Sequence, residues 1–136
     1  MRVALDTNVL VSAVATRGLC GDIFNLVLAE HHLVVGEAVL GELRRVLRDK
    51  FRVPTKTVDE FEALLLQEGE LVRASTATRI KVRDESDVIV LSEAIQGKAD
   101  ALVTGDRDLL AVTEKLPLEI LTPRGFWERV RNQAQP

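Results

Sequence analysis

Val3-Ala4-Leu5-Asp6-Thr7-Asn8 opens the chain with a short apolar run that halts at an acid. A buried strand over Arg2–Leu5 followed at once by a helix is what that run predicts, and a strand feeding a helix is half of a crossover unit. A second stretch, Ala101–Thr104, has the same form and leads through Gly105 to Asp106. Between and around them, short β-like runs at Leu33–Val35, Glu70–Arg73 and Leu118–Leu121 alternate with longer helical patterns. Helices are predicted at about Asn8–Ala15, Ile23–Glu30, Glu37–Phe51 and Val58–Gln67, then from Asp84 to the stop at Gly97, with a short one after Gly105. Glu37–Phe51 is the clearest, since Val39, Leu40, Leu43, Val46 and Leu47 recur every three to four residues. Alternation of this kind predicts an α/β fold, a three-layer α/β/α sandwich around a mostly parallel central sheet.

The 136 residues suit one domain with a real core. Hydrophobic residues are 46% and charged residues 29%, an ordinary globular balance. No apolar run approaches the ~20 residues of a membrane span, and the first residues lack the apolar stretch of a signal peptide, so a cytoplasmic protein is expected. The single cysteine, Cys20, excludes an internal disulfide or a cysteine-based metal cluster and reads as buried filler. His31 and His32 fall near a helix end, where exposure is expected. A net charge of −3 weighs against nucleic-acid binding, unless several acids are gathered in one pocket and neutralised by cations.

Ligands of an open parallel sheet bind outside the carboxyl ends of its strands. Asp6 and Asp106 both fall on that rim. Each alone reads first as a helix N-cap. Asp84 and Asp87 share the ambiguity, but Asp87 lies on the stripe of Leu91 and Ala94, and a carboxylate turned inward needs a partner. Glu42 sits mid-helix at the border of an apolar stripe; alone it reads as a surface acid, with Arg44, Arg45 and Arg48 on the solvent face. Together, Asp6, Glu42, Asp87 and Asp106 would repel one another unless cations bound among them. Their all-oxygen donor set suits Mg²⁺ or Mn²⁺ rather than zinc.

The run into Asp6-Thr7-Asn8, the helical Glu42, Asp84-x-x-Asp87 and Val103-Thr104-Gly105-Asp106-Arg107-Asp108-Leu109 resemble a PIN domain, over residues 1–125. Residues 126–136 are left as a C-terminal helix and tail, frayed from about Asn132. The resemblance is strongest to small bacterial and archaeal members regarded as VapC-like toxins of toxin–antitoxin pairs. It implies a metal-dependent ribonuclease with Asp6, Glu42, Asp87 and Asp106 as both metal ligands and catalytic acids. Asn8 and Thr104 map onto positions that orient the quartet; Asp84 and Asp108 stand as supporting acids. In such a two-metal site, water is the nucleophile and no side-chain nucleophile is needed. Products would carry a 5′-phosphate and a 3′-hydroxyl.

The expected partners are RNA, a second copy of the chain and a cognate antitoxin protein. Arg44, Arg45, Arg48, Lys50, Arg52 and Lys56, and Arg79, Lys81 and Arg83, form two basic stretches that either follow an RNA backbone or solvate a surface. Phe126-Trp127 suits an interface or the domain's own core. Two alternatives remain: an RNA-binding PIN module weak in catalysis, and a haloacid-dehalogenase-like phosphohydrolase. The latter usually has a second Asp where this chain has Asn8. A P-loop and a G-x-S-x-G elbow are absent.

Overall fold

A computed structural model of the protein describes residues 1–73, 85–112 and 114–134. Asp84 and the basic residues Arg79, Lys81 and Arg83 lie outside the described residues, as do Ser75–Thr78, whose polar run predicts a loop.

The chain order is β1 (Arg2–Leu5), α1 (Thr7–Ala15), α2 (Leu19–Glu30), β2 (His32–Gly36), α3 (Glu37–Asp49), α4 (Thr55–Glu68), β3 (Gly69–Val72), α5 (Glu85–Gln96), β4 (Ala101–Val103), α6 (Arg107–Leu110), β5 (Glu119–Leu121) and α7 (Pro123–Ala134). The strands form one five-stranded sheet in the order β3-β2-β1-β4-β5, and every pairing is parallel. Val3, Ala4 and Leu5 of β1 and all of β4 are buried, without the alternation of a one-sided sheet. Both faces are therefore covered by helices, as a parallel sheet built from crossovers requires. The architecture is the three-layer α/β/α sandwich expected from the sequence.

From β1 the chain builds outward through β2 to β3, then returns to lay β4 and β5 on the other side. The reversal falls between β1 and β4, whose register pairs Leu5 with Val103. Strand order that reverses at this point leaves a crevice between the two diverging connections. The ladder continues one step further, with the Asp6 N–H donating to the Val103 carbonyl at 2.9 Å. The two acid-bearing loops are thereby locked side by side.

The principal helix-level difference from the sequence reading is at the C-terminus. Pro123 and Gly125 look like punctuation after β5, yet Pro123 is the first residue of α7, where its missing N–H costs nothing. The Thr122 hydroxyl accepts the Gly125 N–H at 2.9 Å and caps the helix. The C-terminal helix expected from residue 126, with fraying from about Asn132, thus begins at Pro123 and runs to Ala134. Phe126 is fully buried in the main core, so it offers nothing to an interface between copies. His31 is half-buried rather than exposed, edge-on to Phe126 and with Nδ1 at 3.1 Å from the N-terminal amine. Cys20 is likewise only half-buried. No helix among the described residues is long and apolar enough to cross a membrane.

Candidate active site

Asp6 caps α1 in extended conformation, because β1 ends there and the helix begins on the next residue. Its Oδ1 accepts the Thr7 N–H at 2.7 Å, the expected N-cap role. Its Oδ2 is used differently: the Thr104 hydroxyl donates to it at 2.6 Å, across from β4. Thr104 is fully buried, and its Oγ1 also accepts the Asp106 N–H at 3.0 Å. One hydroxyl therefore fixes the first acid and the loop that carries the last. Asp106 in turn caps α6, with Oδ1 accepting the Asp108 N–H at 2.8 Å. The cap and site readings of Asp6 and Asp106 thus describe the same residues, each capping through one oxygen. Asn8 Oδ1 accepts the Gly105 N–H at 3.4 Å, a second bridge between the β1 and β4 loops.

Glu42 is half-buried on α3, and the Thr7 hydroxyl donates to its Oε2 at 3.3 Å. Asp87 is buried in the first turn of α5. Asp6, Glu42, Asp87 and Asp106 all line one cavity of about 320 Å³ at the crevice, together with Thr7 and Asn8. Asp108 is drawn in more closely than a supporting role suggests. Carboxylate oxygens of Asp87, Asp106 and Asp108 lie within 4.8 Å of one another, a spacing that could hold a metal ion. The donors are hard oxygens, with no histidine or cysteine on the cavity wall. That set fits a divalent cation of the Mg²⁺ or Mn²⁺ type.

Burial raises the Asp6 carboxyl above the ordinary carboxylate range. The hydrogen bonds from Thr104 and Thr7 pull it down, and the charges of Glu42 and Asp106 push it up again. A nearby cation would relieve both upward pressures at once.

The basic residues divide. Arg44 is engaged by Asp59 at 2.7 Å and Glu62 at 2.8 Å on α4, and Arg48 contacts the Thr55 hydroxyl. Arg45 makes no ion pair among the described residues, and with Gly41 it borders a shallow depression on the outer face of α3. Lys50 and the exposed Phe51 stand on the wall of the acidic cavity, the ammonium 5.8 Å from the ring centroid. In the sequence Lys50 falls among the other basic residues and nothing marks Phe51; only the turn at the end of α3 brings them to the site.

One buried acid escaped the sequence reading altogether. Glu93 of α5 is 3% exposed and accepts the Ala38 N–H at 3.0 Å. The available signal was indirect: Gly36 precedes α3, and no Ser, Thr, Asp or Asn stands there to cap it.

The family model described as PIN domain matches residues 2–108. Comparison with curated proteins yields no match. Among solved structures, the chain is similar to one from the VapBC2 complex of Rickettsia felis bound to a DNA fragment from its promoter, with a TM-score of 0.66. The identity is 18%, over 90% of this chain and 98% of that one, so the likeness is one of fold.

Proposed function

The chain belongs to the PIN-domain family, and on that premise we propose that it is a divalent-metal-dependent endoribonuclease, the toxin of a toxin–antitoxin pair. The observation that carries this reading is the convergence of Asp6, Glu42, Asp87 and Asp106 on one cavity at the sheet's switch point. Asp87, Asp106 and Asp108 would hold one cation, and Asp6 and Glu42 supply further carboxylate oxygens on the same wall. The chemistry that bound Mg²⁺ or Mn²⁺ supplies is acidification of water for in-line attack on phosphorus and neutralisation of the leaving oxygen.

The protein's own part is positional. Thr104 and Thr7 hold the Asp6 carboxylate from both sides, so it stays aimed without a cation. Such preorganisation removes a reorientation cost from the reaction. Lys50, on the rim, offers charge to a phosphate flanking the scissile one, and Phe51 offers a face on which a base can stack. Single-stranded RNA is the substrate class these features suit. The toxin assignment draws on the resemblance to small PIN toxins and on the fold shared with the VapBC2 structure. It brings with it a cytosolic setting, a cognate antitoxin protein and a homodimer.

The test is incubation of labelled single-stranded RNA with Mn²⁺, Mg²⁺ or EDTA, followed by identification of product ends. Cleavage with either metal and none in EDTA, leaving 5′-phosphate and 3′-hydroxyl ends, is expected. Full activity in EDTA, or ends bearing a 2′,3′-cyclic phosphate, would overturn the mechanism.

A further inference from the structure

α3 starts without a capping side chain of its own, since Gly36 occupies its N-cap. The cap comes from another helix: Oε1 and Oε2 of Glu93 on α5 accept the Ala38 N–H at 3.0 and 3.2 Å. The Glu37 backbone N–H also bonds this carboxylate. Orphan N–H groups and the helix dipole favour a carboxylate there. Burial nevertheless raises the Glu93 carboxyl above its ordinary range, outweighing those bonds. That burial is a cost which an exposed Ser or Asp cap would not carry. It also constrains a second position. A Cβ on residue 36 would run into the Glu93 carboxylate, so a capping side chain at residue 36 would have to displace it.

What this arrangement achieves, and a local cap cannot, is a tie between α3 and α5. Those two helices carry Glu42 and Asp87. Glu42 lies four residues beyond Ala38, and Asp87 six before Glu93, roughly 6 and 9 Å along the respective helix axes. We propose that Glu93 is a positioning residue for the carboxylate pocket, holding Glu42 on α3 against Asp87 on α5 by capping one helix from the other. The supporting residues of metal sites act in this way, by fixing ligand geometry before the ion arrives. The identity of the cation rests on the nuclease reading; the tie between helices does not.

Two variants separate positioning from capping. Glu93→Ala removes the tie. Combining it with Gly36→Ser restores a local cap: the carboxylate is gone, only the residue 93 Cβ, 3.2 Å from a Cβ at position 36, has to give by a few tenths of an ångström, and residue 36 already has the extended φ of −74° and ψ of 140° that an N-cap adopts. The double variant should recover melting temperature relative to Glu93→Ala in metal-free buffer. Its Mn²⁺ affinity, measured by electron paramagnetic resonance of the free ion, should stay about tenfold below wild type. RNA cleavage should show kcat reduced and KM unchanged. Glu93→Gln, which keeps an acceptor oxygen for Ala38, should retain most of the affinity. Recovery of stability and Mn²⁺ affinity together in the double variant would reduce Glu93 to a cap and overturn the proposal. Should neither alanine variant fold, Glu93→Asp, too short to reach Ala38, carries the same readouts.

A wild type that binds no Mn²⁺ would sink the nuclease reading alone. The tie is then measured without metal, between spin labels at Arg45→Cys and Ile89→Cys, both exposed, in a Cys20→Ser background. A broader inter-label distance distribution in the double variant supports positioning, and an unchanged one overturns it.

Discussion

Asp6 concentrates the chemistry of the site in one side chain. Its folded-state pKa is raised, chiefly by burial, so the folded protein binds that proton more tightly than the unfolded chain does. A raised folded pKa gives a contribution fully present below the unfolded value and lost as pH rises through the folded one. Metal-free Asp6→Asn should therefore match wild type most closely in acid and gain on it as pH rises from about 4 toward neutrality. Thermal melts of both proteins in EDTA across that range check this; a constant difference would show that Asp6 is not strained by its charge. The same variant should lose most of the melting shift that Mn²⁺ produces in wild type. At Thr104 a different effect is expected. Thr104→Val leaves Asp6 Oδ2 and the Asp106 N–H without their buried partner, a cost of about 1–3 kcal/mol. Denaturant unfolding of the metal-free protein measures it, and a neutral result would mean that water replaces the hydroxyl.

At the scale of elements, α7 and α3 each do something their local sequence does not announce. α7 contributes Phe126 to the core, packed where α2 and β5 meet it. Phe126→Ala should cost about 3–5 kcal/mol, a large share of the ~5–15 kcal/mol that holds a typical domain together. A fall of that size in unfolding free energy is expected, and an unchanged value would place Phe126 outside the core. The end of α5 is equally tight. A Cβ on Gly97 would meet Val34 Cγ1 at 2.5 Å and Val72 Cγ2 at 3.0 Å, so Gly97→Ala should destabilise by roughly 1–3 kcal/mol through overpacking. α3 offers an outer face of three arginines, of which Arg45 alone makes no contact with an acid or hydroxyl among the described residues. Arg45→Ala should raise KM for RNA and flatten its salt dependence, and Arg44→Ala should do so less, because Asp59 and Glu62 already hold that guanidinium. Equal effects would mean that the Arg44 pairs open on binding.

Across the whole molecule, fold and site are joined through the sheet's switch point. β1 and β4 deliver their following loops to the same crevice, and α3 and α5 close it from the side. Because the folded chain alone assembles those acids, a divalent ion should stabilise it by linkage, by about 2.7 kcal/mol at a concentration a hundred times Kd. A melting temperature indifferent to Mn²⁺ would remove the metal from the proposal. Losing a ligand should strike catalysis harder than losing an arginine. Asp87→Asn should cut kcat by about a hundredfold or more, several kcal/mol of transition-state stabilisation. Dimerisation is proposed without Phe126, and sedimentation that shows only monomer at micromolar concentration would remove it.

Much of this was legible in the chain itself, and the reason is periodicity. The runs at Arg2–Leu5 and Ala101–Val103 and the repeat of Val39, Leu43 and Leu47 are local signals, set by which side chains must leave water together. They sufficed for the strands, the main helices, the sandwich and the acids on its rim. Asp6 and Asp106 could be placed because they touch strand ends and Asp87 because it lies on an apolar stripe, whereas Glu42, at the border of one, joined them through the resemblance to a PIN domain. Contacts between residues far apart in sequence obey no such period. The Thr104 hydroxyl on Asp6 spans 98 positions and Glu93 on Ala38 spans 55. Neither partner marks the other in the sequence, since a buried acid and an uncapped glycine look like separate oddities until packing brings them together. The chain by itself determined which acids stand at the rim; only the tertiary structure decided what holds them there, because a hydrogen bond between distant segments exists only once the core has fixed both ends.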